Sequence, residues 1–445
     1  MLKRVATALL GKFESREEVQ KFLLLGLIFG LMIGIYWALR PIKDGIFSVI
    51  VGFDYQPVAK WLSLFLIVPV IFIYGKLADM FSREKVFYIF VGLYTILWLI
   101  FAWLFSSPVY GLANTVSSPT RMLGWLWYIS IESWGTIMVP LFWAITADIT
   151  TEDSAKRGFP LIALMAQTGN ILGPLFLNAR RLGFSSSAPI VLILGAMTLC
   201  MGLIMFVFMK VTPRSQLKGY QEEVKVHEKE KEPGFLEGLR LLLTQPYLLG
   251  IFAIATAYEI IVTIVDFYFK LNVKMIYPLE VDFSAYMANF AATTGVVATL
   301  CVLFGISNIQ RRLGITASLV MTPLLLACGV ILLKINPTLA VAFWIMVIFK
   351  AVNYALNQPT IKQLYIPTSK DAKYKSQAWI EVFGGRGAKA GGSAVNAFNL
   401  IFRGKYGVAA GTSLFLTMST SVSLGLVIGW LFIVVFVAKK YNRAI

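Results

Sequence analysis

Long apolar runs of about twenty residues, separated by short polar breaks, set the tightest limit on what this chain can fold into. A helix needs about 20 mostly apolar residues to cross the hydrocarbon core of a bilayer. Runs of that kind begin near Lys21, Pro57, Lys85, Met122, Gly158 and Ala188, and a second set begins near Tyr247, Phe283, Ile315, Thr338, Gln377 and Val408. The chain therefore reads as an all-α membrane protein of about twelve transmembrane helices in two groups of six. Composition agrees: 58% of the 445 residues are hydrophobic and 14% charged, against about 45–50% and about 25% in soluble domains.

The polar segments divide the chain. Residues 1–20 read as a cytoplasmic amphipathic lead-in without a signal-peptide cleavage site. A first six-helix bundle is expected over 21–211 and a second over 247–438, with a cytoplasmic linker at 212–246 and a tail at 439–445. The net charge of +17 is spread between the runs and reports topology, not a nucleic-acid face. With both termini and the linker in the cytoplasm, the cytoplasmic segments carry roughly 25 Lys and Arg and the opposite loops about 8, as the positive-inside rule requires. A bacterial inner membrane suits that bias.

Several chemistries drop out. Cys200, Cys301 and Cys328 all lie in apolar runs without metal-ligand spacing, and they read as buried free thiols. The single histidine, His227, falls in the charged linker. That removes zinc catalysis, a Ser-His-Asp triad and a histidine proton relay. No cofactor is expected, and proton chemistry must run on carboxylates.

Two parallel six-span repeats around a central linker form the major-facilitator pattern, in which the halves rock about a midplane site. The segment Gly75-Lys-Leu-Ala-Asp79-Met-Phe-Ser-Arg83-Glu-Lys85 resembles the loop signature of that superfamily between spans two and three. There Asp79 and Arg83 are expected to latch neighbouring helix ends. A degraded copy, Gly305-Ile-Ser-Asn308-Ile-Gln-Arg311-Arg312, stands at the matching place in the second half.

Charges inside the spans point to a site. Each Asp, Lys or Arg at a helix centre costs about 2.5–3.5 kcal/mol on insertion scales. Span one ends in Leu39-Arg40-Pro41-Ile42-Lys43-Asp44, and span four carries Glu132. Span seven carries Glu259, Asp266 and Lys270, span ten Lys350, and span eleven Glu381, Arg386 and Lys389. Such a set lines a polar cavity. The plainer alternative is mutual pairing, as Arg40 and Asp44 could achieve one turn apart. Several bases converging at the midplane suggest an anionic substrate, with the acids tuning basicity, gating, or carrying a coupling proton.

Span eleven also holds Gly384-Gly385-Arg386-Gly387-Ala388-Lys389-Ala390-Gly391-Gly392-Ser393. It lacks the Gly-Lys-Ser/Thr ending of a phosphate loop. Its small residues suit close helix approach, and Lys389 supplies a point charge suited to phosphate. The aromatic residues Trp125, Trp127, Tyr128, Trp134 and Trp143 around span four read mostly as an interfacial belt or lipid packing, one of them able to stack on a base.

Further stretches resemble the nucleotide transporter family of plastids and obligate intracellular bacteria, the ATP/ADP translocases of the TLC type. Leu39-Arg40-Pro41-Ile42-Lys43-Asp44 is similar to its first-span Leu-Arg-x-x-Lys-Asp. Phe142-Trp143-Ala144-Ile145-Thr146-Ala147-Asp148 with Ala155-Lys156-Arg157 resembles its span-four exit, and Asp282-Phe283-Ser284-Ala285-Tyr286 with Thr294-Gly295 its span-eight entry. Tyr365-Ile366-Pro367 ahead of Lys389-Ala390-Gly391-Gly392 resembles its tenth loop and eleventh span. The resemblance implies nucleotide exchange, with transport resting on Lys43, Glu132, Asp266 and Lys389. It departs at Asp266, where the family usually has glutamate, and at Asn353-Tyr354, where the family has Lys-Tyr and Lys350 stands one turn earlier. Gln358-Pro359-Thr360 replaces Asp-Pro-Thr, and Ser376 to Glu381 departs from the charged lead-in to span eleven.

The expectation is a major-facilitator-like ATP/ADP antiporter with Lys43, Glu132, Asp266, Lys389, Arg40, Arg386, Lys350 and Asn353 binding substrate. Asp44, Glu259, Lys270, Glu381, Asp79 and Arg83 would couple or gate. Its partners are a nucleotide and the bilayer, with no nucleic acid, and a monomer is expected. The alternatives are a proton-coupled importer of nucleoside triphosphates, a dinucleotide (NAD) carrier and, more remotely, a membrane-embedded transferase or scramblase.

Overall fold

The computed structural model describes residues 13–217, 235–304, 307–368 and 379–444, and every regular element among these is helical. Most of the lead-in, the linker over 218–234 with His227, the start of the second-half loop motif at Gly305, and 369–378 lie outside the described residues.

Ten stretches among the described residues are long and apolar enough to cross a bilayer. The first, Arg16–Met80, is 65 residues long, several times the length that a ~30 Å core requires. A π turn at Ser48–Gly52 and a tight turn at Phe53–Tyr55 break it into α1 (Arg16–Phe47) and α2 (Gln56–Met80). Then follow α3 (Arg83–Phe105), α4 (Met122–Asp148), α5 (Glu152–Phe176) and α6 (Ala188–Val211). After a short α7 (Phe235–Thr244) come α8 (Pro246–Ile276), α9 (Glu280–Leu303) and α10 (Ser307–Ile335). Next is α11 (Leu339–Val352), continued by a π turn at Asn353–Asn357 into α12 (Gln358–Leu364). The last two are α13 (Gly385–Tyr406) and α14 (Val408–Ala444). Helix α13 has spanning length but is too polar to be counted on composition, because its buried face carries Ser393, Asn396 and Asn399. With it, and with the first stretch divided, the described residues hold twelve helices of spanning length, the number the apolar runs predict.

The chain forms two compact units. The first holds 1–53, 65–230 and 277–292; the second holds 54–64, 231–276 and 293–445. Each sequence half thus lends part of one helix, from α2 and α9, to the unit built mainly from the other half.

In the first unit α1 packs chiefly on α5. Ser15 caps α1 by accepting from the Glu18 amide at 3.0 Å, and Glu17 and Glu18 sit in the first turn where the helix dipole favours acids. Glycines set the approach between the two helices. A Cβ on Gly30 would lie 2.9 Å from the Met165 carbonyl oxygen, one on Gly169 3.1 Å from the Gly34 nitrogen, and one on Gly173 2.8 Å from the Gly34 Cα. Membrane helices use small residues in this way because van der Waals contact, not water exclusion, holds them together. Gly169→Val should therefore cost about 1–3 kcal/mol through overpacking, read as a lower melting temperature of the detergent-solubilised protein. Gly92→Ala, where nothing stands within 4 Å of the added carbon, should leave the melting temperature close to wild type.

The aromatic side chains of α4 are not a lipid-facing belt. Trp127 and Trp134 are fully buried, Tyr128 nearly so, and Trp125 is 9% exposed. Trp127 meets Trp98, Phe101 and Phe105 of α3, and Trp134 meets Tyr94. Hydropathy cannot separate the two faces of such a helix, since lipid and core are equally apolar. The cysteines are corrected for the same reason: Cys200 and Cys328 are exposed on apolar helix surfaces, and Cys301 is half-buried.

In the second unit α8 is the central strut. It packs on α13, α14 and α11, and Tyr258 donates to the Phe349 carbonyl at 3.2 Å.

Candidate functional site

In the first unit, α1 and α4 bring together the two residues with the least reason to lie in lipid. The Lys43 ammonium is bonded to the Glu132 carboxylate, and it stands 4.1 Å above the Tyr128 ring. Lys43 is 7% exposed in its side chain and Glu132 30%. One flank of the pair is thus sealed by protein, while the carboxylate reaches open space. Glu132 lies ten residues, or ~15 Å, inside the start of α4. Gly135, one turn on, admits Tyr36, since a Cβ there would stand 2.8 Å from that ring. Arg40 stacks on Trp37 at 4.8 Å and Tyr36 at 5.6 Å. Asp44 is buried at 4% exposure beside this cluster in sequence.

Two polar fasteners hold the ends of this unit. Arg83 donates to the Asp148 carboxylate at 2.5 Å and to the Ala144 carbonyl at 3.1 Å, tying α3 to the end of α4. The acid that Arg83 meets is Asp148; Asp79, expected to share the latch, is exposed and forms no hydrogen bond or ion pair among the described residues. Nearby, Glu18 is buried and accepts from Ser154 at 2.7 Å and Arg157 at 2.9 Å. Lys21 donates to the carbonyls of Ile149 and Gln216. This network gathers the start of α1, the α4–α5 turn and the segment after α6 at one end of the unit.

The second unit holds the other charges in two separate groups. Asp266, 8% exposed, faces Lys270 at 2.7 Å and Lys350 at 3.2 Å. Lys389 does not meet Asp266; among the described side chains its partner is Glu259, at 3.9 Å. Spacing explains the separation. Glu259 and Asp266 are seven residues apart on α8, about 10.5 Å along the axis, so one lysine cannot serve both. Lys389 is 55% exposed in its side chain, with Gly385 and Gly387 bordering open space on the same helix. Gly384 and Gly392 point the other way: added carbons there would lie 2.9 Å from Phe252 and 2.8 Å from Thr263 of α8. The glycine run thus seats α13 on α8 with one set of residues and opens the space around Lys389 with another. Arg386 is half-buried, Asn353 is buried and accepts from Asn357 at 2.8 Å, and the side chain of Glu381 lies outside the described residues.

Sequence reasoning missed two features. The role of Tyr128 under Lys43 was hidden because an aromatic in a span looks the same facing lipid or core. The cluster of Asp54, Arg403 and Asn399, with Arg403 at 2.7 Å and Asn399 at 3.2 Å from the Asp54 carboxylate, sits near apparent span ends. Charges there are ordinarily solvated, so only pairing data would have flagged it.

Comparison with known proteins bears on what these charges serve. The family model described as TLC ATP/ADP transporter matches residues 13–338 and 330–441. ADP,ATP carrier protein 1 of Rickettsia prowazekii is 28% identical over 96% of this chain and 94% of its own length. ADP,ATP carrier protein 2, chloroplastic, of Arabidopsis thaliana is 26% identical over 93% of this chain and 73% of its own length. Among solved structures, the nucleoside transporter NupG superposes with a TM-score of 0.61 at 14% identity, covering 94% of this chain and 99% of that one. A bacterial homolog of the human lysosomal transporter Spinster gives 0.61 at 15% identity, covering 97% and 99%. These likenesses establish the major-facilitator-like fold of a multi-pass membrane transporter.

Proposed function

Because the chain belongs to the TLC ATP/ADP transporter family, we propose that it exchanges ATP for ADP across a membrane by alternating access. The observation that carries this reading is the pairing of Lys43 with Glu132 over Tyr128, inside apolar helices. A buried lysine held by a single, partly open carboxylate is a cation with a replaceable partner. Phosphate, with more charge and more acceptor oxygens than a carboxylate, is the natural replacement. Lys389, half-exposed beside glycines and only loosely matched by Glu259, offers the same exchange in the second unit. Arg40, Lys350, Arg386 and Asn353 supply further donors, while the acids Asp44, Asp266 and Glu381 balance them and Asp266 holds Lys270.

In this mechanism each ammonium is neutralised either by its resident acid or by the nucleotide. Releasing the nucleotide returns Lys43 to Glu132, and the rejoined pair holds the empty carrier still. Exchange is then faster than net uptake. The positive-inside bias supports cytoplasmic termini in a bacterial inner membrane, and a monomer suffices. A proton-driven importer is the second reading, favoured by the 3.9 Å gap between Glu259 and Lys389.

The test is uptake of labelled ATP into proteoliposomes. Vesicles loaded with ADP should take it up at least about tenfold faster than empty ones, and a protonophore should change neither rate. Equal rates in loaded and empty vesicles overturn antiport, and collapse under the protonophore favours the second reading. Recovery of unaltered nucleotide separates transport from any transferase.

A further inference from the structure

A cavity of about 340 Å³, whose lining does not include Lys43, opens in the first unit. It is lined by the α5–α6 turn with Asn178, Arg180 and Arg181, by Tyr277 just before α9, and by Asp282 and Tyr286 in the first turns of α9. We infer that this cavity is a capture site for the nucleoside polyphosphate on the face opposite the termini, with Arg180 and Arg181 taking the phosphates and the Tyr277–Tyr286 pair the base. The inference rests on the proposed exchange of nucleotides for its ligand.

Three observations carry it. The first is that the walls are built. Glu280 is buried and accepts from both the amide and the hydroxyl of Ser187, each at 2.7 Å, which pins the start of α9 to the start of α6. Asn178, also buried, accepts from the Arg181 amide at 3.0 Å and donates to the carbonyls of Pro174 and Leu175 at 3.2 Å, so the turn is held from within. The second is the chemistry of the lining. Two guanidinium groups stand on successive residues, and the two tyrosine rings stack with centroids 5.2 Å apart at 29°. Arginine presents a planar fork suited to phosphate, and aromatic faces accept any base, worth ~1–3 kcal/mol per stacked base. The third is that the Arg180 cation is held ready. It is ion-paired to Asp282 yet 67% exposed, so an incoming phosphate displaces a carboxylate at little desolvation cost. The volume falls in the range of small-ligand sites, about 300–1,000 Å³.

Helix parity gives the side. The α5–α6 turn and the entry to α9 each follow an odd number of spans from a terminus placed in the cytoplasm, so both face outward. A capture site there acts on nucleotide arriving from outside and leaves release to the inside unaffected.

The experiment uses the full-length protein in proteoliposomes of known orientation. Arg180→Gln with Arg181→Gln should raise KM for external ATP about 5- to 20-fold, while maximal exchange and KM for internal ADP stay within about twofold of wild type. Tyr277→Ala with Tyr286→Ala should do the same, and Tyr→Phe at both should restore the wild-type value. In a background lacking the native cysteines, Ala285→Cys, on the cavity wall, should react with an impermeant thiol reagent from outside. ATP should protect it, and inorganic phosphate at equal concentration should not. Unchanged external KM in folded variants, an equal rise on both sides, or protection by phosphate as strong as by ATP each overturns the inference. If wild type exchanges ATP and none of these effects appears, the capture site fails and the proposed exchange stands. If ATP protects Ala285→Cys and wild type exchanges nothing, the site stands and the proposed exchange fails.

Discussion

Lys43→Gln is expected to abolish nucleotide exchange while leaving a folded protein in the membrane. Removing one partner of a desolvated charge pair costs ~2–5 kcal/mol in binding, which corresponds to about 30-fold to several thousand-fold in affinity. Glutamine keeps most of the side-chain volume over Tyr128, and it can still donate to Glu132, whose carboxylate is 30% exposed. The folded state therefore loses less than the ligand does. The companion variant separates a binding lysine from a plain helix fastener. Glu132→Gln should bind ATP as tightly as wild type or more so, because the resident competitor for the ammonium has been neutralised, and it should exchange slowly. Were the pair only a fastener, both variants would lose exchange together with stability, and neither would gain affinity. Equilibrium ATP binding and exchange rates, measured on the same preparations, decide between these outcomes. Lys43→Arg should fall between, since the larger planar head must fit a slot whose side chain is 7% exposed.

How much of this was legible in the sequence depends on which physical signal each residue gave. Most of the spanning helices follow from apolar length, because nothing but a spanning helix satisfies so many runs of that size, while the polar α13 is the weakest of them by that signal. Lys43 and Glu132 stand out because charge in such a run is expensive and needs a partner. Their pairing with each other does not follow, because span one also carries Arg40 and Asp44; the structure supplies it. Asp266 is harder. Span seven carries two acids and a lysine, and the choice among Lys270, Lys350 and Lys389 depends on helix rotation and depth, which composition does not encode. The structure gives Asp266 the first two and sends Lys389 toward Glu259. Burial of the α4 aromatics and exposure of Cys200 were illegible for a deeper reason. In water the hydrophobic effect writes inside and outside into the sequence, whereas in lipid both surfaces are apolar. The glycines of α1 and α5 do survive as a signal, because close approach selects size and not polarity. The division of α2 and α9 between the two units left no mark that periodicity could read.

Asp266→Asn is expected to be the most damaging single change in the second unit. Asp266 is 8% exposed and takes Lys270 at 2.7 Å and Lys350 at 3.2 Å. Neutralising it removes an anion shared by two ammonium groups inside a membrane span. Breaking a buried pair costs ~3–5 kcal/mol, because the charge left behind stays desolvated, and here two are left facing each other. Melting temperature and yield should drop sharply, and exchange should be lost. A second substitution distinguishes folding from transport. In Asp266→Asn with Lys350→Met one of the two cations is gone and a similar volume is filled, so the melting temperature should recover most of the loss. Exchange should stay low if Lys350 also serves the nucleotide, and it should return with stability if the trio is only scaffolding. Asp266→Glu, which adds one methylene to the same charge, should keep the fold and retain measurable exchange. A double variant no more stable than Asp266→Asn alone would mean that the carboxylate is held for its hydrogen bonds and not for its charge.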